Sequence, residues 1–299
     1  MKIYVAAFHT SARRSNNASD KAAEATQDLV YPYFLESYHY LRQQHVDVIR
    51  ERGYRVFLDS GAFSMFTQGV DVDLPAYAEF VKTNADILET YSNLDHIGRG
   101  GEQKTWDNQK TLERLGCMCQ PVFHARDDDK WLERYLAEGY DYIFLGGMVP
   151  ETKGYLLGWL DHVWDKYLTN RDGTAKVKIH GFGMTTADIM FRYPWYSVDS
   201  TSWAIMAAVG SIVIDMPHQD FIVSVSSDSP TAKQMGRHIR TLPRAQQTAV
   251  NNRIKELGFD PEQLAVNYGW RFNFNIKYYE RAMARAVTTF KRQSIDLFA

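Results

Sequence analysis

Two aspartates stand where apolar runs stop. Residues 56–58 form an apolar stretch that ends in Asp59-Ser60-Gly61-Ala62, and residues 196–198 form another that ends in Asp199-Ser200-Thr201. A buried strand that runs into small residues presents its terminal carboxylate at a strand tip. Two such carboxylates at one mouth could perform a displacement at the anomeric carbon of a sugar, one attacking and the other managing a proton. Each aspartate taken alone also reads as a helix N-cap, a routine use of aspartate at a strand end. Two histidines at similar positions, His124 after residues 121–123 and His180 after residues 177–179, open a different chemistry. With Asp199 and His9 they would suit a metal-dependent hydrolase.

Tips of this kind recur along the chain. Residues 87–94 lead to Asp95, residues 143–145 lead to Gly146-Gly147-Met148, and His180 opens the run His180-Gly181-Phe182-Gly183. Residues 2–8 read as a first strand and residues 211–215 complete a set of eight. Helical patterns fall between them at 74–83, 108–116 (closed by Gly116), 130–138, 155–168 and 185–192. The aromatic-dense stretch 31–44 also has helical spacing. Residues 9–20 read as a polar loop and residues 98–107 as too glycine-rich and charged for core. The run Asp127-Asp128-Asp129 reads as the acidic start of a helix rather than a metal site. No G-x-G-x-x-G follows the first strand. The alternation therefore points to an α/β fold of the (β/α)8 TIM-like barrel type, with its active site at the C-terminal strand tips.

Composition excludes little, but its distribution is informative. The 299 residues carry a net charge of −2, with 14% aromatic residues. Residues 231–299 hold 12 Lys+Arg against 5 Asp+Glu, leaving 22 against 31 for residues 1–230. A basic C-terminal third on an acidic body fits a polyanion-binding region. Residues 224–230 are serine-rich and read as a linker, followed by helices at 231–242, 244–257 and 276–292. The division expected is a barrel over residues 1–225 and a basic helical region over 226–299, able to bind nucleic acid. Cys117 and Cys119 are the only cysteines and cannot build a zinc site by themselves, so no metal is expected. Two cysteines in C-x-C spacing with no second pair, a short N-terminal apolar run and the lack of any run of membrane-span length point to a reducing, cytoplasmic setting without membrane partners.

The ordered set of tips resembles the tRNA-guanine transglycosylase family over most of residues 55–203. Leu58-Asp59-Ser60-Gly61-Ala62-Phe63 looks like that family's D-S-G-G-F, which implies that Asp59 is the acid/base and that Phe63 stacks on the base, with Ser60 and Gly61 in the same loop. Asn93-Leu94-Asp95 is similar to the segment whose aspartate reads the donor edge of guanine or a 7-deazaguanine. His124 falls where the family uses a glutamine for the same base. Gly146, Gly147 and Met148 resemble the element whose backbone approaches the base. The run from His180 and Gly181 resembles one that covers the base's second face. Asp199 is placed like the nucleophile that forms the glycosyl-enzyme bond.

The departures carry information too. The family's C-terminal zinc-binding cluster is missing, as is the P-T-R after the nucleophile, replaced here by Ser202-Trp203. The sequence looks closest to the shorter, phage-type transglycosylases that insert a 7-deazaguanine, such as a preQ0-like base, into DNA. That resemblance implies DNA and a free 7-deazaguanine as partners and no cofactor, because one glycosidic bond replaces another. Exchange on tRNA is the nearest alternative. The hydrolase and a non-catalytic nucleic-acid-binding barrel are the more distant ones.

Overall fold

A computed structural model of the protein describes residues 1–11, 31–70, 73–96, 100–148, 151–184, 186–217 and 219–296. The polar loop expected over residues 9–20 lies almost wholly outside them. The chain divides into two compact units.

The first unit is α/β. Its strands are β1 (Lys2–Ala6), β2 (Phe34–Ser37), β3 (Val56–Asp59), β4 (Leu88–Tyr91), β5 (Val122–His124), β6 (Tyr142–Gly146), β7 (Lys178–Gly181) and β8 (Ser197–Ser200). They form one sheet in the order β4-β3-β2-β1-β8-β7-β6-β5, every pairing parallel. Strand β1 thus neighbours β8, the cyclic order of a TIM-like fold. Just past the edge strand β4, Ser92 bridges Gln120, which precedes the other edge strand β5. Asn93 donates its N–H to the Gln120 carbonyl at 2.8 Å and Gln120 donates to Tyr91 at 2.9 Å.

Helices α1 (Gln43–Glu51), α2 (Ala62–Gln68), α3 (Leu74–Thr83), α4 (Glu102–Arg114), α5 (Lys130–Ala137), α6 (Lys153–Val163) and α7 (Ala187–Met190) lie between the strands in sequence. Local chemistry sets their ends. Asp73 caps α3 by accepting from the Ala76 N–H at 2.9 Å, Thr152 caps α6, and Gly116 takes φ +80° just after α4. Among the described residues no helix is long and apolar enough to cross a membrane.

A core of Tyr4, Ala6, Leu35, Phe57, Val122, Tyr142 and Phe144 packs together. Side chains two residues apart on a strand point to the same side. The next inward positions toward the C-terminal ends are therefore Ser37 after Leu35, Asp59 after Phe57, His124 after Val122 and Gly146 after Phe144. The strand alternation that buries the apolar layer also stacks a polar layer on it.

Several expectations are corrected. The stretch 31–44 contains β2 rather than one long helix. Phe34, Leu35 and Glu36 are all buried, so the strand lacks an alternating polar face. Its buried Glu36, which accepts from the His9 N–H at 2.7 Å, masks it further. Ser211–Asp215 is not the eighth strand of the parallel sheet. It forms β9 and pairs antiparallel with β10 (Asp220–Ser224) in a separate two-stranded sheet. The segment 98–107 is partly core, because α4 begins at Glu102 and buries Thr105, Trp106, Gln109 and Leu112 at helical spacing.

The second unit contains residues 201–286. It holds α8 (Ser202–Ala208), β9, β10, α9 (Arg244–Glu256), α10 (Pro261–Val266) and α11 (Tyr268–Asp296) as far as Ala286. Its core includes Ile212, Ile214, Val223, Val225, Val250, Ile254, Leu264 and Phe274. The expected linker 224–230 is packed instead, with Val225, Ser226 and Ser229 buried. The expected helix 231–242 is a series of turns ending in one 3₁₀ turn, Ile239–Thr241. Gly236 at φ +73° breaks it, and His238 bridges to Ser224. Part of the basic charge is used internally. Arg253 and Arg281 each hold Asp215 at 2.8 Å, Arg285 holds Asp220 at 2.6 Å, and buried Arg271 donates to the carbonyls of Ala207 and Leu264.

Candidate active site

Asp59 ends β3 and is held by the turn after it. Its Oδ2 accepts the N–H of Gly61 at 3.1 Å, and Gly61 is the N-cap of α2. Asp59 is therefore not the N-cap: α2 has no side-chain cap, and the carboxylate closes a local turn onto the N–H two residues on, just ahead of the helix. Burial raises its pKa, the nearby charges of Asp95 and Asp199 raise it further, and the Gly61 and Ser60 N–H groups oppose without cancelling. The result is a carboxyl pushed up to about 7, where an acid/base group works best at neutral pH. These interactions place Asp59, Asp95 and Asp199 in one electrostatic neighbourhood.

The turn itself depends on glycine. Gly61 has φ +78°, and a Cβ there would lie 2.6 Å from Ser37 Oγ and 2.7 Å from His39 Cβ. Gly61→Ala is expected to cost about 2 kcal/mol or more of stability, from strain and contact together, which urea denaturation of the two proteins would measure. Ser60 is buried; its N–H donates to Ser92 Oγ at 2.8 Å and its hydroxyl to Asp95 Oδ1 at 3.3 Å. Phe63 follows in the first turn of α2 with 60% of its surface exposed, so its ring is open for stacking.

Asp95 sits on a loop held from behind. The N–H of His96 donates to Thr105 Oγ1 at 2.9 Å, and the side chains of Asn93 and Asn108 donate to the carbonyls of Thr105 and Leu94. Asp95 Oδ2 accepts from His124 Nε2 at 2.8 Å. On the other side of the ring, Nδ1 lies 3.3 Å from Asp127 Oδ2, which also accepts the His124 N–H at 2.9 Å. Burial works against charge on this ring, but Asp127 and Asp95 outweigh it and the imidazole is pushed up to about 10. His124 is therefore a cation at neutral pH, clamped between two carboxylates.

Because the folded value lies above the ordinary 6.5, the stability this pairing contributes is complete below about pH 6.5 and is lost as pH rises toward 10. Wild type should lose stability over that window relative to His124→Gln, as chemical denaturation at pH 6, 8 and 10 would register. Asp127 was read as part of a helix start. It is the second partner of His124, while Asp128 accepts from the Lys130 N–H at 3.0 Å and Asp129 pairs with His162 at 2.6 Å.

The glycine pair serves this clamp. A Cβ at Gly146 or at Gly147 would lie 3.0 Å from the His124 side chain, so the pair leaves room for His124 beside the β6 tip. Met148 is buried beside it in sequence. Gly181 does the same for Trp195, whose ring would lie 2.9 Å from a Cβ there.

Asp199 ends in a different setting. Its Oδ1 accepts the N–H of Gly183 at 2.8 Å and faces His180 Nε2 at 3.3 Å. The expectation that His180 covers one face of a bound base is corrected. The ring is fully buried, with Phe57 at 4.6 Å, Phe182 at 4.8 Å and Phe144 at 5.2 Å between ring centres. It supports Asp199 from below and has no open face. His9, the fourth ligand of the hydrolase alternative, pairs with Glu36 at 3.0 Å. Among the described residues no group of three or more His, Cys, Asp or Glu side chains is arranged to hold a metal.

The structure brings together the expected Asp59, Ser60, Asp95, His124 and Asp199; Ser197 and Ser37 were missed, and Asp127 and Gly183, seen in the sequence, were not expected to hold His124 and Asp199. Ser197 had a signal, since it lies two residues before Asp199 on one strand and so shares its side of the sheet. Ser37, at the tip of the missed strand β2, has a buried hydroxyl with no hydrogen-bond partner among the described residues. No protein-family model matches the chain, and no curated protein matches it.

Proposed function

We propose that this protein is a glycosyltransferase of the guanine transglycosylase type, exchanging guanine in DNA for a 7-deazaguanine, preQ0-like base through an aspartyl-glycosyl intermediate on a closed (β/α)8 barrel. One observation carries the reading. Two carboxylates share a mouth but differ in setting: burial and the neighbouring Asp95 and Asp199 push Asp59 up to about 7, while Oδ1 of Asp199 accepts from the Gly183 N–H and faces His180 Nε2. Carboxyl pairs set apart in this way divide into an acid/base and a nucleophile.

In this account the target nucleotide leaves the duplex, because a stacked guanine cannot present its glycosidic carbon to the mouth. Phe63 stacks on the base, worth about 1–3 kcal/mol. Asp95 already holds the His124 cation through Oδ2, so the purine's N1–H and exocyclic amine meet Oδ1, in place of the Ser60 hydroxyl. Asp199 attacks C1′ as the bond to guanine breaks; the electron pair leaves with the base, which takes its proton from Asp59. Asp95, Asp127 and Asp199 against one His124 cation give the mouth a negative balance that favours the oxocarbenium-like transition state. The incoming base then gives its proton to Asp59, attacks C1′ and releases Asp199. The cations of the second unit not engaged in internal pairs are the candidates for contact with the DNA backbone.

The test is base exchange. Protein is incubated with labelled guanine and with labelled 7-deazaguanines, with DNA and tRNA supplied in parallel. Label in DNA is the expected result; label in tRNA alone moves the assignment to that polymer, and label in neither refutes it.

A further inference from the structure

Behind Asp199 runs a chain of buried polar groups. The Tyr142 hydroxyl lies 2.6 Å from Ser197 Oγ, which lies 2.7 Å from His180 Nδ1, and His180 Nε2 faces Asp199 Oδ1 at 3.3 Å. The three supporting residues come from β6, β8 and β7, and all are buried.

The ends of the chain fix its direction. A carboxylate only accepts, so Nε2 must carry the hydrogen. Burial pulls the His180 pKa below its ordinary value despite the pull of Asp199, so the neutral ring has one hydrogen and Nδ1 is an acceptor. Ser197 then donates to Nδ1, and Tyr142 donates to Ser197. Among the described residues no further hydrogen bond extends the chain beyond Tyr142. Burial raises the Tyr142 phenol well above its usual range, and its ring packs against Phe144 and Tyr196. A chain closed at its inner end does not deliver protons; it orients. Among the described residues, the two hydrogen bonds to Asp199, from His180 and from the Gly183 N–H at 2.8 Å, both fall on Oδ1.

We propose that His180 is a positioning residue: held in the Nε2–H tautomer by Ser197 and Tyr142, it pins Oδ1 of Asp199 together with the Gly183 N–H and leaves Oδ2 as the attacking atom. This rests on the transglycosylase reading for the identity of the electrophile. In that step the Oδ2–C1′ bond forms while the C1′–N9 bond breaks and the electron pair goes to the leaving base.

The experiment combines ¹⁵N NMR of histidine-labelled full-length protein at pH 7 with base-exchange kinetics on the same samples. The His180 signals are assigned by their loss in His180→Gln. Wild type should show a neutral ring with the hydrogen on Nε2. Ser197→Ala removes the donor to Nδ1, so the Nε2–H population should fall, kcat should drop about 10-fold or more and the acid limb of the kcat–pH profile should move to higher pH, with KM nearly unchanged. His180→Phe should lose about 100-fold. His180→Gln, whose amide can donate to Asp199 and accept from Ser197, should recover most of that loss and the original acid limb. A merely structural role would move none of the pH profiles. An Nδ1–H tautomer or a protonated ring in wild type overturns the inference, as does a Ser197→Ala variant with altered tautomer and unaltered kcat and pH profile. If wild type exchanges no base at all, the transglycosylase reading fails; an Nε2–H tautomer lost in Ser197→Ala would still support the chain, and an unchanged one would overturn it.

Discussion

Asp199→Asn should abolish base exchange, with kcat lower by about 10⁴-fold or more, the scale on which removing a nucleophile acts. The change is nearly isosteric and keeps an acceptor oxygen for the Gly183 N–H, so the site should survive it. What is lost is the negative oxygen that forms the bond to C1′. If, as proposed, Phe63, Asp95 and contacts to the DNA backbone carry substrate binding, affinity for DNA should stay within a few-fold of wild type. Initial rates of label incorporation, with a binding titration beside them, separate the two quantities. Loss of both together would instead mark Asp199 as a structural residue.

Asp59→Asn should have the second-largest effect, and its two consequences run in opposite directions. Exchange should fall by about 10²–10⁴-fold, the usual range for a positioned acid/base, and the limb of the pH profile near 7 should disappear. Stability should rise. The folded protein keeps the Asp59 proton up to about pH 7 while the unfolded chain releases it near the ordinary 3.8. Between those values the folded state binds more protons, so stability declines as pH rises, and the full cost is in place above pH 7. Removing the titration should therefore stabilise the protein by about 2–4 kcal/mol at pH 8 and by little near pH 4. Urea denaturation at the two pH values distinguishes this from a general packing effect. A site that costs stability and returns activity is what a functional carboxyl predicts.

Much of the first unit was legible because its strands share one grammar: an apolar run, then a polar tip. Phe57 before Asp59 and Val122 before His124 show why this works, since a period of two carries the inward direction from the core layer to the site. Strand β2 broke the grammar. Its Glu36 is buried and paired with His9, and a strand buried on both faces has no alternation to read. The opposite error befell Ser211–Asp215, whose Ile-Val-Ile run is as apolar as a barrel strand. What decides its partner is the short connection to Asp220–Ser224, which favours an antiparallel hairpin over a return to β1.

Within the site, positions were legible but pairings were not. Asp95 and His124 were each found as separate tips, yet the ion pair between them joins residues 29 apart and makes the histidine a cation. His180 was found at its tip but given the wrong task. Its burial is set by Phe182 just beyond its own strand and by Phe57 and Phe144 from two others, and its role by Ser197 and Tyr142 from β8 and β6, residues distant in sequence apart from Phe182. The charge asymmetry of the C-terminal third is present in the sequence, but Arg253, Arg271, Arg281 and Arg285 are committed to internal partners, so the surface available to a polyanion is less basic than the count implies.

The most direct test of the central claim is the mass of the protein–sugar adduct. Wild-type protein mixed with DNA in the absence of incoming base is quenched in acid, digested with nuclease and protease, and measured by mass spectrometry. A deoxyribose-containing adduct is expected on the peptide that carries Asp199, and it should disappear when a 7-deazaguanine is added before the quench. An adduct on the Asp59 peptide, or exchange activity with no adduct at either residue, would contradict the claim.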